Sequence, residues 1–337
     1  MKPSKNALKA SKAVSKKRLW KNLMSMAQIG ALPNGGVNRP ALSKEDTAAR
    51  ILMLDWASKF GFETEIDEIA NLYIRLPGTD PQALPILTGS HLDSQPKGGK
   101  FDGAYGVVGA FEALEAIHKS GIKTKRSIEI VAWTNEEGGR FQPGVMGSAI
   151  YAGDILLRDH LNQKDSDGVT LKYALDKTLK VMSNLPTRKF GRPLKAYIEA
   201  HIEQGPILET TKNKIGVVSG IQGLYWFGVE VIGEESHAGT TPLSLRRDAL
   251  KAAISIISNL QLLMHDESDT VRFTVGKLDC EPGSPSTVPG RVYFTIDFRH
   301  PDPDILKEIL EKIEPTCLSN GMGCKVLVHP IVNSPPV

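Results

Sequence analysis

Apolar and polar positions follow two different rhythms along this chain, and the change comes near residue 215. Before it, short β-branched runs alternate with stretches of helical period, the pattern of an α/β domain. Ser43-Lys44-Glu45-Asp46 opens a helix with a serine cap and acids in its first turn, continued by Ala48, Ile51, Leu52, Leu54 and Trp56. Leu72–Leu76, closed by Pro77-Gly78, reads as a strand, as do Ile86-Leu87-Thr88 and Ile128–Trp133. A helix is expected over residues 107–118, ended by Gly121. Residues 154–195 are polar and weakly periodic, which predicts a surface insertion of one or two helices. Beyond 222 the order is strand (223–232), helix (245–264), strand (271–278), strand (291–298), helix (304–317), strand (325–328). This β-α-β-β-α-β series is the split, ferredoxin-like unit, and it predicts a discrete inserted domain.

Composition narrows the picture. The 337 residues can bury a large core, and 41% hydrophobic with 23% charged residues is ordinary for a globular protein. No apolar run approaches a membrane span, so no membrane partner is expected. The three cysteines (Cys280, Cys317, Cys324) are scattered and odd in number, which fits reduced thiols and a cytoplasmic location. The net charge of +3 conceals an asymmetry: the first 21 residues carry eight basic side chains and no acid. Subtracting those eight from +3 leaves −5 for the rest. Residues 1–19 are therefore expected to form a solvated basic arm, with a mitochondrial targeting segment as the alternative. No aromatic or glycine-rich RNA signature accompanies the arm, so no nucleic-acid partner is expected.

The candidate chemistry lies at strand ends, in TGSHLDSQPKGGKFDGAYG (88–106), WTNEEGGRF (133–141) and YIEAHIEQGP (197–206). Ligands of open α/β sheets collect beyond the carboxyl ends of the strands. His91 and Asp93 follow one apolar run and Asp102 opens the next turn; Glu136 and Glu137 follow a second run, and His201 follows Tyr197-Ile198. In an extended segment residues i and i+2 share a face, so Asp93 is placed to hold the second ring nitrogen of His91. Adjacent Glu136 and Glu137 repel unless a cation or proton intervenes. One glutamate ligating a metal while its neighbour acts as general base is a chemical use of that pairing. Two imidazoles with three or four carboxylates suit a hydrolytic zinc or manganese site.

The same segments carry a specific resemblance. RLWKNLMSMAQIGALPNGGVNRPALSKEDTAAR (18–50), GSHLDSQPKGGKFDGAYGVVGAFEAL, NEEGGRF, MGSAIYAG, IEAHIEQGPILE, ESHAGTTPLSLRRDAL and VPGRVYFTIDFRHPD resemble the amidase/hydantoinase/carbamoylase family of the dinuclear zinc exopeptidase clan. The resemblance implies a zinc-exopeptidase-like mixed-sheet catalytic domain at 20–215 and an inserted ferredoxin-like lid and dimerisation domain at 216–330. It implies hydrolysis of a ureido C–N bond, with β-ureidopropionate, N-carbamoyl-L-amino acids or allantoate as substrate, and an aminoacylase or dipeptidase as the rival class. His91, Asp102 and His201 would hold one of two divalent ions (Zn²⁺ or Mn²⁺), with Asp102 bridging to a second held by Glu137. Glu136 would be the general base. Gln204 and Arg299 match substrate-binding positions, and an arginine fork suits a carboxylate. His237 matches a histidine donated across a homodimer to stabilise an oxyanion.

Two departures from the family pattern stand out. Ser286 occupies a position where relatives carry asparagine, with a shorter reach and no amide donor pair. The chain also ends at 331–337, where relatives return to the catalytic domain with a histidine that completes the second metal. The second site is therefore expected to lack one histidine ligand. A partial sequence or a catalytically incomplete chain is the corresponding alternative to a working enzyme.

Overall fold

The computed structural model describes residues 3–337, and contacts divide the chain into two compact units, Met1–Ile207 and Leu208–Val337. In the first unit the helices are α1 (Lys5–Ala13), α2 (Lys16–Met26), α3 (Lys44–Ser58), α4 (Ala104–Lys119), α5 (Met146–Ala152), α6 (Leu157–His160) and α7 (Leu171–Val181). Its strands are β1 (Glu63–Ile66), β2 (Leu72–Leu76), β3 (Ile86–His91), β4 (Ile128–Trp133) and β5 (Ala196–Ile198). They form one mixed sheet in the order β1-β2-β4-β3-β5, antiparallel across β1, β2 and β4 and parallel across β4, β3 and β5.

Alternation along the strands sorts the core into two faces. Leu72, Ile74, Ile130 and Ala132 pack with α2, α3 and α4, whereas Tyr73, Leu87, Val131 and Trp133 pack with Tyr151 and Leu194. α3 carries the expected Ser43 cap, whose hydroxyl accepts from the Asp46 N–H. The polar stretch at 154–195 does more than decorate the surface. Leu171, Ala174 and Leu175 of α7, with Met182, join Ile66, Ile69, Phe141 and Met146 in a third core cluster.

The basic arm also differs from expectation. Residues 5–26 form α1 and α2, and Arg18 docks them onto α4. Its guanidinium donates to both oxygens of Glu112 (2.7 and 2.5 Å) and lies 3.0 Å from Glu115, while the Ser15 N–H donates to Glu112 at 2.7 Å. Both carboxylates are almost fully buried, so they need a cation. Nothing local signals this contact, because the partners lie 94 residues apart.

In the second unit a short helix α8 (Ile207–Thr210) begins at the boundary, followed by β6 (Gly223–Ile232), β7 (Ser236–His237), α9 (Ala249–Leu263), β8 (Arg272–Thr274), β9 (Leu278–Glu281), β10 (Thr287–Val288), β11 (Arg291–His300), α10 (Pro303–Ser319) and β12 (Lys325–Ser334). An antiparallel sheet runs β12-β6-β11-β8, with β9 also on β11, and both long helices pack on its core face. This is the expected β-α-β-β-α-β unit, with two differences. The strand expected over 271–278 is split into β8 and β9, interrupted around Gly276, a residue that weakens strand interiors. The strand expected over 325–328 continues to Ser334, with Val332, Asn333 and Ser334 paired to β6. The register shifts between Pro330 and Val332, as the missing proline N–H requires.

Replacing Arg18 with methionine should strand the buried Glu112 carboxylate, Glu115 keeping Lys119 at 2.5 Å, and lower stability by about 2 kcal/mol, against little change for exposed Lys17→Met. Urea unfolding of both variants checks this; equal midpoints would mean the ion pair does not anchor the arm.

Candidate metal centre

Three side chains meet at the strand ends of the first unit. His91 is the last residue of β3, Asp102 lies in the turn before α4, and His201 follows β5 by three residues. One ligand atom from each lies within 4.8 Å of the others, the only such group of three His, Cys, Asp or Glu among the described residues. His201 Nε2 is 3.3 Å from Asp102 Oδ1, and the two imidazoles stack with centroids 6.0 Å apart. Backbone geometry makes room for them. Gly103 has φ +60°, and a Cβ there would lie 2.4 Å from the His91 ring, so only glycine fits this turn.

Both histidines are oriented by main-chain acceptors. His91 Nδ1 is 2.9 Å from the Asp93 carbonyl and His201 Nδ1 is 2.9 Å from the Ile202 carbonyl. A carbonyl can only accept, so each Nδ1 carries the proton and each Nε2 presents its lone pair to the cluster. The sequence placed the Asp93 carboxylate in the orienting role. In the structure that carboxylate is 3.8 Å from His91 and instead accepts the N–H groups of Glu136 and Glu137 at 3.3 and 3.2 Å. The pleat brings the carbonyl, not the side chain, under the ring.

Charge balance follows from burial. Glu136 Oε2 sits 3.3 Å from His91 Nε2. Burial, reinforced by Glu137 and Glu199, holds the Glu136 carboxyl above its ordinary range, against the pull of His91. Burial also works against charge on His91, yet Asp93 and Glu136 outweigh it and raise the imidazole's pKa. The completely enclosed Asp93 is pushed up to about 6 by burial, opposed by His91 and the two amides.

Other expected site residues are placed differently. Glu137 stays outside the triad, its carboxylate accepting from the Gln95 backbone N–H (3.2 Å) and side-chain amide (3.1 Å). Gln204 donates to Asp102 Oδ2 at 2.7 Å. In the second unit, exposed His237 lies on β7, its Nδ1 accepting from the Gly239 N–H at 3.1 Å. Arg299 on β11 is held by Asp297 through two bonds of 3.0 and 2.8 Å. The Ser286 carbonyl accepts from the Ala238 N–H at 2.9 Å. Sequence reasoning missed a polar chain beside the triad: Trp133 Nε1 donates to the Tyr197 hydroxyl, which donates to Glu199, and Ser90 donates to the other Glu199 oxygen. Only the position of Ser90 and Glu199 beside the two histidines hinted at it. Trp133, Tyr197, Glu199 and Glu136 border a cavity of about 310 Å³ lined also by Leu87, Tyr151 and Leu194.

An α/β unit that gathers two Nε2 lone pairs and a carboxylate at its strand ends belongs to the class of divalent-cation sites, and the donor set fits such an ion. Residues 87–327 match the peptidase family M20/M25/M40. An N-carbamoyl-L-amino-acid amidohydrolase of Rhizobium meliloti is 39% identical over 321 residues, covering 94% of this chain and 76% of its own length. The allantoate amidohydrolase of Bacillus subtilis is 36% identical, covering 88% and 73% respectively. The crystal structure of an amidase of the hydantoinase/carbamoylase family from Burkholderia multivorans superposes with a TM-score of 0.87 at 41% identity, over 96% of this chain and 79% of that one. A tripeptidase from Staphylococcus aureus, at 15% identity and a TM-score of 0.62, shares the fold. The chain belongs to the M20/M25/M40 peptidase family and, within it, to the hydantoinase/carbamoylase amidases. Peptidases of the wider family generally use divalent metal ions.

If the triad is the metal site, His201→Ala should weaken binding of Zn²⁺ or Mn²⁺ by more than the roughly 10–100-fold typical of orienting residues. His118→Ala, whose ring packs beside Phe60 and Phe62, should leave it unchanged. Competition titration with a chromophoric chelator measures both, and equal affinities would place the ion elsewhere.

Proposed function

We propose that this chain hydrolyses the carbamoyl C–N bond of an N-carbamoyl-L-amino acid or a related carboxylate-bearing ureide. The observation that carries the reading is the Glu136 carboxyl, 3.3 Å from His91 Nε2 at the edge of the triad and held above its ordinary pKa range. His91, Asp102 and His201 would hold a divalent ion, Zn²⁺ or Mn²⁺, which when bound lowers the pKa of water and polarises a carbonyl. Glu136 takes a proton from the attacking water as its oxygen adds to the ureido carbon, and a raised pKa suits it to return that proton. The C–NH₂ bond then breaks, the nitrogen leaves as ammonia with the proton from Glu136, and the remaining N-carboxy group departs as carbon dioxide to free the amine. Names of relatives at 36–39% identity support this substrate class, with allantoate as the second reading.

Asp102 and Glu137 would hold a second ion. His118, His160, His265, His300 and His329 stand outside the triad's group, and His118, His160 and His300 are engaged by Phe60 and Phe62, by Gln163 and by Asp302. Gln204 and Arg299 would bind substrate, Arg299 exchanging Asp297 for the substrate carboxylate. His237 would serve a partner protomer's site in a homodimer formed through residues 216–330. No helix of the described residues is long and apolar enough to cross a membrane. Three free cysteines support a reducing, cytoplasmic setting.

The test is ammonia release by the metal-reloaded protein from β-ureidopropionate, N-carbamoyl-L-amino acids and allantoate. Glu136→Gln should lower turnover by about 10²–10⁴-fold while the folded protein still binds metal. Turnover of N-acetyl amino acids or dipeptides without ureide turnover would contradict the proposal, as would full activity in Glu136→Gln.

A further inference from the structure

Arg39 is fully buried, yet no carboxylate lies within ion-pair distance of it among the described residues. A buried charge of this kind is costly unless its donors are engaged. Here Nε and Nη1 are engaged by main-chain oxygens, while the buried Nη2 has no hydrogen-bond partner among the described residues. Nε donates to the Leu92 carbonyl at 2.5 Å, and Nη1 donates to the carbonyls of Ile29 (2.9 Å) and Met26 (3.3 Å). The backbone adds two bonds: the Arg39 N–H donates to Ser94 Oγ and the Ser94 N–H donates to the Arg39 carbonyl, both at 2.9 Å. Arg39 therefore grips the chain on both sides of Asp93.

What lies between those grips matters. The Asp93 carbonyl takes the Nδ1 proton of His91, and its carboxylate takes the N–H groups of Glu136 and Glu137. One residue further on, the Gln95 N–H meets the Glu137 carboxylate. Segment 92–95 is thus the brace between the β3 and β4 loops, and Arg39 backs it from the α2 side, where Met26 ends the helix. A guanidinium fork serves three separate carbonyls at fixed angles; a lysine ammonium lacks that planar reach.

We propose that Arg39 is a positioning residue of the metal centre: it fixes the peptide groups of residues 92–94, and through them the tautomer and aim of His91 and the placement of Glu136 and Glu137. The inference rests on the metal-centre reading above. A purely structural role would cost stability without changing the metal affinity of the folded fraction.

Co²⁺ titration of the full chain, followed by visible absorption and paired with thermal unfolding, separates these roles. Arg39→Met and Arg39→Lys should weaken Co²⁺ binding by about 10–100-fold and alter the absorption band, with lysine giving partial rescue at most. Arg188→Met is the matched control. Arg188 is equally buried, paired with Glu129 at 2.6 Å and stacked on Tyr73, so its loss should lower stability and leave Co²⁺ affinity intact. If the Arg39 variants do not fold, Ser94→Ala removes the acceptor of the Arg39 N–H, together with the hydroxyl's own bond to the Gln95 carbonyl, and should weaken binding several-fold. Wild-type Co²⁺ affinity in folded Arg39→Met, or in Ser94→Ala where that variant decides, overturns the proposal. Failure of the wild-type chain to bind Co²⁺ would instead overturn the metal-centre reading beneath it.

Discussion

The site turns on one residue's main chain and side chain together. Asp93 offers its carbonyl to His91 Nδ1 and its enclosed carboxylate to the amides of Glu136 and Glu137. The first bond decides which imidazole nitrogen is free. The second ties the β4 loop to the β3 loop, so a candidate ligand and a candidate base move as one body. Burying that carboxylate pushes its pKa to about 6, a cost offset in part by the charge-assisted bonds it accepts. Much of the surrounding polarity serves this arrangement. Arg39 holds the segment from behind, and Arg50 holds Thr134 beside the same loop while pairing with Asp46.

The sheet supplies the remaining precision. β3 and β4 are parallel neighbours in register from Ile86↔Ile128 to His91↔Trp133, so both loops leave at the same level. β5 pairs with β3 and points His201 toward the same end. The Gly103 turn lets α4 start directly behind the His91 ring. Convergence of ligands is therefore a property of strand register, with glycine removing the one side chain that would block it.

Much of this was legible in the sequence for identifiable reasons. The strands announced themselves by β-branched runs, the Ser43 cap by its hydroxyl and following acids, and the cluster by ligand residue types placed after those runs. What escaped was nonlocal. Arg18 looked like one more charge in a basic arm because Glu112 and Glu115 lie far along the chain. The Asp93 carboxylate looked like the orienter of His91 because i+2 spacing fixes a face, not which oxygen lies under the ring. The end of β12 lies beyond the strand expected over 325–328, because Pro330 interrupts a ladder that resumes at Val332. Arg39 carried no signal at all: an arginine before a proline gives no hint of burial or of three carbonyl partners.

The central claim is that two imidazoles, His91 and His201, face a common ion through Nε2. X-ray absorption at the zinc edge of the stoichiometrically loaded protein tests it most directly. The account predicts imidazole nitrogens at about 2.0–2.1 Å alongside carboxylate oxygens, with the imidazole scattering reduced in His91→Ala. Thiolate scattering at about 2.3 Å, or a spectrum unchanged by that substitution, would contradict it.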